Sequence, residues 1–549
     1  MYSEKKNILQ LVSLLELHGV RTVVLCPGSR NTPLIHTFVT HKAFECFSVT
    51  DERSAGFVAL GLAQERNTPV VVCCTSGTAL LNIHPAVCEA FYQHLPLIVV
   101  SADRPQAWIG QMDGQTLPQP GVFGPLVKKS VHLPEILSEE DEWYCNRMVN
   151  EAILECTHRE CGPVQINIAL SEPLFQYGAT AMPEVRCIRR VEAEQVSDLT
   201  TAFRTADRRM LICGQLTPAQ AARLQPLLQQ FDGVVLSEHL SNLHLKDEKS
   251  SLRYFDAALS TLGEAQQKEF APDLLITMGG HIVSKRLKKL LRKYPPREHW
   301  HITPQGEVVD LFCALTHVVE MKPENFLCAV STTASDETSG FLKQWADLCR
   351  VPQPAPETFS SLMAVGHLLG ALPKSSCLHL ANSSAVRLAA LYPIASGIRV
   401  FCNRGTSGIE GSLSTAIGYA SVSKELNFVL IGDLSFFYDM NALWNGAIRS
   451  NLRILLLNNQ GGGIFHTLPG MDLESPSCRY VEAVHGATAR GWVKDCGLVY
   501  FKAETREQLA EGIRLLTDPH LDAPVLVEVF TDIEHDTEAF KAFFDSLKN

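Results

Sequence analysis

An α/β protein built from three open parallel-sheet domains is what this sequence predicts, and three observations carry that expectation. The chain has 549 residues, more than the roughly 250–300 that a single hydrophobic core supports. Short runs rich in β-branched residues recur along it, each ending in a cluster of Gly, Pro, Ser, Thr or Asp. Helical stretches separate the runs, which is the βαβ signature of a parallel sheet.

In the first third, Val20–Cys26 ends at Pro27-Gly28, Val70–Cys74 at Thr75-Ser76-Gly77-Thr78, and Leu97–Ser101 at Ala102-Asp103-Arg104-Pro105. Each reads as a buried strand followed by loop or helix-start chemistry, with Ser54–Arg66 as one of the helices between. Ligands of such sheets sit at the carboxyl ends of the strands, where these polar clusters fall. Pro183 to about Glu194 reads as a linker. The middle third repeats the pattern at Arg209–Gly214, Gly233–Ser237 and Leu274–Gly280, and the Pro-rich stretch 351–356 follows. Strands of the last third are expected at Cys377–Leu380, Arg399–Cys402, Asn427–Ile431, Leu452–Leu457 and Pro524–Phe530. The resulting domains run over 1–182, 195–350 and 357–549, with the first and last similar in kind.

A net charge of −11 argues against non-specific nucleic-acid binding, because no positive field attracts phosphates. Anionic small substrates remain open to it, since they need only a local group of Arg and Lys. The 17 cysteines include no C-x-x-C pair, so they read as reduced, mostly buried thiols. His299 and His301 form an H-x-H on a strand-like stretch and read as structural. The start of the chain has no apolar leader, and no run of about 18 apolar residues occurs. A cytoplasmic protein without a membrane span is the expectation.

The strongest chemical signal is Gly432-Asp433 at one strand end and Asn458-Asn459 at the next, with Asp433 and Asn459 twenty-six positions apart. A diphosphate carries several negative charges, and a Mg²⁺ or Mn²⁺ ion bridges it to protein if oxygen ligands stand nearby. Asp433 offers a carboxylate, Asn459 an amide oxygen and Gly461 a backbone carbonyl. The segment Ser435–Ser450 reads as a helix whose N-terminus faces phosphate, and Gly461-Gly462-Gly463 lets backbone pass close to a ligand. The pair resembles the GDG…NN signature of thiamine-diphosphate enzymes, with Leu434 standing where many members carry Gly.

That resemblance implies two further residues. Thiamine diphosphate brings its own carbanion chemistry, but the protein must hold it bent and serve a pyrimidine nitrogen with a carboxylic group in a dry place. Glu52, in Thr50-Asp51-Glu52-Arg53, fits that role; an ordinary dipole-stabilising acid at a helix start is the alternative. Ile409, between Gly408 and Gly411, fits the aliphatic wedge beneath the bent cofactor, or else is a core isoleucine. Gly432 and Leu434 complete the expected cofactor contacts.

Longer phrases narrow the resemblance. Cys26-Pro27-Gly28-Ser29-Arg30, Asp51-Glu52-Arg53, Thr75-Ser76-Gly77-Thr78-Ala79, Ala102-Asp103-Arg104-Pro105, Asn403-Arg404-Gly405-Thr406-Ser407-Gly408 and Asn458-Asn459-Gln460-Gly461-Gly462 are similar, in order and across essentially the whole chain, to the 2-succinyl-5-enolpyruvyl-6-hydroxy-3-cyclohexene-1-carboxylate synthases of menaquinone biosynthesis. Glu410 stands where that family's pattern has Asp. The resemblance implies pyrimidine-binding, central and diphosphate-binding domains. It implies an active site shared between subunits of a homodimer or homotetramer. The implied reaction is decarboxylation of 2-oxoglutarate and 1,4-addition of the succinyl carbanion equivalent to isochorismate.

Both of those substrates are dicarboxylates, which suits arginine because its planar fork grips a carboxylate with two hydrogen bonds. By motif the candidates are Arg30, Arg104, Arg387 and Arg404, with Lys285 from the middle third. Ser29, Gln115 and Ser383 offer polar contacts, and Ile464, Phe465 and Leu468 an apolar wall. The bland reading is a solvated or ion-paired arginine, a basic helix face around Lys285 and plain core for the apolar three. Another 2-oxo acid decarboxylase or carboligase of the thiamine-diphosphate superfamily, such as an acetolactate-synthase-like enzyme, is the alternative, though it does not need four carboxylate-directed arginines. A nicotinamide or flavin dinucleotide protein ranks lower, because no G-x-G-x-x-G opens a helix after an early strand.

Overall fold

The computed structural model describes residues 1–245, 252–331, 340–350, 356–444, 448–467 and 471–548. They carry three six-stranded sheets and divide into two compact units. One comprises Met1–Val191 with Glu307–Val318; the other comprises Glu192–Gly306 with Val319–Asn549. The α/β class with parallel sheets, expected from the sequence, is what forms.

In the first unit the strands are β1 (Thr22–Leu25), β2 (Glu45–Ser48), β3 (Val70–Cys74), β4 (Leu97–Asp103), β5 (Lys129–Leu133) and β6 (Val164–Ala169). They lie in the order β2-β1-β3-β4-β6-β5, every pair parallel. Side chains alternate between the faces of a strand, and the packing follows that rule. Val23, Leu25, Val71, Cys73, Ile98 and Val100 join one core with the helices Lys6–Leu17 and Glu139–Thr157. Val24, Val70, Val72, Cys74, Leu97 and Val99 join another with Glu52–Arg66 and His84–Tyr92. Both faces are covered, which is why these strands read as continuous apolar runs.

The second sheet contains β7 (Arg189–Glu192), β8 (Arg209–Cys213), β9 (Val234–Ser237), β10 (Leu274–Met278), β11 (Glu298–Ile302) and β12 (His317–Glu320). The division between the units falls within β7 and β12. Inside the second unit β11-β10-β8-β9 are neighbours and parallel. The stretch read as a linker is therefore partly strand, because Arg189–Glu192 finds a sheet edge. His299 and His301 both hydrogen-bond the Thr277 hydroxyl, at 2.9 Å each, in keeping with a structural role.

The third sheet, β13 (Cys377–Leu380), β14 (Arg399–Phe401), β15 (Asn427–Gly432), β16 (Leu452–Asn458), β17 (Val499–Ala503) and β18 (Val525–Phe530), runs β14-β13-β15-β16-β18-β17. All its pairs are parallel. Strand for strand this is the winding of the first sheet. Within the second unit, Asn242 ties the middle segment to the last one. Its Nδ2 donates to the Val400 carbonyl at 2.9 Å and its Oδ1 accepts from the Val400 N–H at 2.7 Å.

The expected helix Ser435–Ser450 is shorter and starts earlier. An α-helix spans Asp433–Asp439, a 3₁₀ turn continues through Trp444, and residues 445–447 lie outside the described ones. The Met440 carbonyl accepts from Trp492 Nε1 at 2.8 Å where the α-helix gives way to the 3₁₀ turn. Among the described residues the 17 cysteines form no disulfide, and no helix is long and apolar enough to cross a membrane.

Candidate functional site

The parallel register of the third sheet builds the second unit's site. β15 and β16 are neighbours, with Gly432 paired to Leu457, so Asp433 and Asn459 leave adjacent strand ends at a strand spacing of about 4.8 Å. Asp433 is only 3% exposed. Its Oδ1 accepts from the Leu434 N–H at 2.7 Å, its Oδ2 from the Gly461 N–H at 2.9 Å, and His485 Nε2 stands 3.3 Å from Oδ2. Burial pushes its pKa up, against the pull of those amides and of His485, which is the environment a cation relieves.

The two asparagines divide the work. Asn458 is fully buried and serves the fold: its Nδ2 donates to Glu528 Oε1 at 2.8 Å and to the Ala487 carbonyl at 3.0 Å, and its Oδ1 accepts from the Gln460 N–H. Asn459 lines a cavity of about 440 Å³ with Asp433, and its Nδ2 donates to Asp536 Oδ2 at 3.1 Å. Gly463 permits this, because a Cβ there would lie 2.7 Å from Asn459 Nδ2. Gly462 N–H donates to the Glu482 carbonyl at 2.7 Å, which holds the glycine loop.

Ile409, Gly432, Leu434, Gly461, Ile464, Phe465, Ser383 and Arg387 line the same cavity. Ser383 sits in the left-handed region at φ 67, just ahead of the short helix Ser384–Ala389. Leu468 lies outside the described residues. Arg404 reaches the site through Asn382: its Nη1 donates to Asn382 Oδ1 at 2.7 Å, while Asn382 Nδ2 donates to the carbonyls of Asn403 and Gly408. Burial and the nearby Arg404 charge both depress the pKa of Arg387, so an anion between them is favoured.

Arg387 and Phe540 also line a second cavity, of about 400 Å³, where Lys285 stands with Arg253, Arg286 and Lys289. Lys285 opens the helix Lys285–Lys293, capped by Ser284. The N–H groups of Val283 and Ser284 donate to Glu238 at 2.7 and 2.8 Å.

In the first unit the remaining candidates gather along the carboxyl edge of its sheet. Glu52 is half-buried and begins the helix Glu52–Arg66, two residues earlier than expected because the Asp51 carboxylate caps it by accepting from Ser54 N–H at 3.0 Å. Its charge is felt at Cys26 and Cys74, beside the ends of β1 and β3, where it helps burial raise both thiols. A Cβ on Gly28 would lie 2.4 Å from Thr75 Cβ, so the loops after β1 and β3 touch.

Arg30 is buried, donates to the Leu170 carbonyl at 2.9 Å and pairs with Glu172 at 3.1 Å. Its pKa falls through burial and then through the Arg104 charge, which places the two guanidinium groups within each other's field. Arg104 pairs with Asp113 at 3.0 Å and donates to the Gly114 carbonyl. Ser29 and Gln115 are exposed. Gln115 adopts φ 55, and its Cα would lie 3.1 Å from a Cβ on Gly77.

Several residues here carried no sequence signal. Asn382 and Asp536 are single polar residues far in the chain from the groups they hold, and Glu482 holds Gly462 through its backbone carbonyl. In the first unit, Gln119 accepts from Gly77 N–H at 2.7 Å and donates to Asn167 Oδ1 at 2.7 Å, while Asn167 Nδ2 donates to Asp103 at 2.8 Å. This buried network sets the loops that carry Thr75–Ala79 and Arg104. Among the described residues no group of three or more His, Cys, Asp or Glu side chains is placed to hold a metal. A cation at Asp433 would rest on mixed carboxylate, amide and backbone oxygens.

Comparison with known proteins fits this geometry. Residues 9–122 match the family model described as thiamine pyrophosphate enzyme, N-terminal TPP binding domain. Residues 172–367 match the one described as middle domain of thiamine pyrophosphate. A protein of Bacteroides thetaiotaomicron is 54% identical over 100% of both chains, and one of Phocaeicola vulgatus 51% over 100% of both. One of Flavobacterium johnsoniae is 38% identical over 98% of each. All three carry the name 2-succinyl-5-enolpyruvyl-6-hydroxy-3-cyclohexene-1-carboxylate synthase.

Proposed function

We propose, from the premise that this chain belongs to the 2-succinyl-5-enolpyruvyl-6-hydroxy-3-cyclohexene-1-carboxylate synthase family, that it decarboxylates 2-oxoglutarate and adds the succinyl fragment to isochorismate in menaquinone biosynthesis. The observation that carries this reading is the pairing of Asp433 and Asn459 at adjacent strand ends on one cavity.

The residues fit thiamine diphosphate and its metal. A buried carboxylate, an amide whose nitrogen is already engaged and a glycine loop tolerating no side chain beside that amide form a cradle that would suit a cation and a diphosphate. Asp433, Asn459 and the Gly461 carbonyl would hold Mg²⁺ or Mn²⁺, and Gly432 and Leu434 would contact the cofactor. Thiamine diphosphate, when bound, supplies the carbanion chemistry. Ile409 would support the bound cofactor, and Glu52 would hold a proton for its pyrimidine nitrogen.

Arg30, Arg104, Arg387, Arg404 and Lys285 grip substrate carboxylates. Ser29, Gln115 and Ser383 orient the polar groups, while Ile464 and Phe465 exclude water from the reacting centre. Glu52 is half-buried within one chain, and its task needs a dry site. A second copy of the chain covering it supplies that dryness, so the working form is a homodimer or a tetramer of such dimers. The enzyme works in the cytoplasm.

The test follows isochorismate absorbance with the purified chain, thiamine diphosphate and Mg²⁺. Loss of absorbance with 2-oxoglutarate but not with pyruvate supports the reading. Equal rates with pyruvate, or none with either, refute it.

A further inference from the structure

An amide side chain is nearly symmetric in shape, so its orientation is set by hydrogen bonding alone. Asp536, in the first turn of the helix Ile533–Ser546, supplies such a constraint from 77 positions along the chain. Its Oδ1 accepts from the Ser361 N–H at 2.6 Å. Its Oδ2 accepts from the Ser361 hydroxyl at 2.6 Å, the Thr531 hydroxyl at 2.9 Å and Asn459 Nδ2 at 3.1 Å. All four partners donate, and the carboxylate lines the same cavity as Asn459 and Asp433.

We propose that Asp536 is a positioning residue for the metal-binding amide: it accepts from Asn459 Nδ2 and thereby leaves Oδ1 as the atom turned to the cation. The inference rests on the reading of Asn459 as a metal ligand. A carboxylate only accepts, so a flipped Asn459 would set two oxygens against each other and offer the cation an NH₂ group, which binds no metal. Ser361 and Thr531 fix the carboxylate in turn, tying the orientation of the ligand to the start of the helix Ser361–Ala371 and the end of β18.

The test titrates Mg²⁺ into the full-length, metal-stripped protein at saturating thiamine diphosphate and reads the half-saturating concentration from the melting temperature. A purely structural carboxylate would lower the melting temperature of the stripped protein and leave the Mg²⁺ midpoint unmoved. Asp536→Leu keeps the approximate shape but removes both acceptor oxygens, so Asn459 Nδ2 loses its partner and the amide is free to flip; its midpoint is expected to rise about tenfold or more. Thr531→Ala removes a partner of the carboxylate but not the acceptor for Asn459, and its midpoint is expected within about twofold of wild type.

An Asp536→Leu midpoint within about twofold of wild type overturns the assignment. So does a Thr531→Ala shift as large as that of Asp536→Leu, or an Asp536→Leu chain that does not fold even with saturating Mg²⁺ and cofactor. Absence of any Mg²⁺ response in the wild-type protein is the separate result that removes the metal reading, and this inference with it.

Discussion

Arg404 donates through Nη1 to Asn382 Oδ1 at 2.7 Å, and Asn382 is buried. The same asparagine donates to the carbonyls of Asn403 and Gly408, so it sets both the guanidinium and the loop that carries it. Arg404→Ala is expected to raise the KM for a dicarboxylate substrate about tenfold or more, with little change in cofactor affinity. Asn382→Ala should reproduce the direction of that change. Steady-state kinetics beside a cofactor titration separate the two effects, and equal losses in both would refute the clamp role.

Glu52→Gln keeps the shape of the side chain and removes its proton chemistry. Turnover is expected to fall roughly a hundredfold or more, while Mg²⁺ and thiamine diphosphate binding persists. Wild-type turnover in the variant would show that the proton resides elsewhere.

Gly463→Ala places a methyl group 2.7 Å from Asn459 Nδ2. The amide must move, and affinity for the cofactor with Mg²⁺ is expected to drop about tenfold. Fluorescence titration of the purified variant measures it; unchanged affinity would mean that the amide does not touch the metal.

Burial pushes the Glu238 carboxyl up to about 7; Asp256 adds to the rise, while the Val283 and Ser284 amides and Lys288 oppose it. The folded chain thus keeps a proton that the unfolded chain releases near its ordinary value of 4.5, so this group's contribution to stability falls as pH rises between those values and stays low above them. Half-buried His239 and buried His301 and His379, all depressed to about 4, contribute the opposite slope between there and 6.5. The informative quantity is therefore the difference between wild type and Glu238→Gln. The melting temperature of the variant relative to wild type is expected to rise by a few degrees between pH 5 and pH 8. A pH-independent difference would place the proton on another group.

Much of this fold was legible because buried parallel strands write themselves as apolar runs. Val70–Cys74 and Cys377–Leu380 form over the residues expected, and the Gly432-Asp433 and Asn458-Asn459 phrases do fall at strand ends. β6, with the sequence VQINIA, escaped that reading because Gln165 and Asn167 interrupt the apolar pattern. Both are fully buried and pay for it by hydrogen bonding, Gln165 to the Gln119 carbonyl and Asn167 to Asp103. β2 escaped for the opposite reason: it is an edge strand with half-exposed residues and no apolar run.

Within the candidate site, strand-end motifs were legible and their supports were not. Asp433 and Asn459 stand next to turn glycines, which mark them. Asp536 and Asn382 act through contacts made between distant parts of the chain, and nothing in their flanking residues announces a partner.

The first and third sheets share one winding, β2-β1-β3-β4-β6-β5 against β14-β13-β15-β16-β18-β17. The Thr75-Ser76-Gly77 corner after β3 is accordingly the counterpart of the Gly432-Asp433 corner after β15. A gene that holds one framework twice can let the two copies drift toward different tasks, one corner becoming acidic and the other hydroxyl-rich, without inventing a new scaffold. Exchanging the two corners tests how far that division has gone: each loop should still close on its host, while the chemistry it once served is lost.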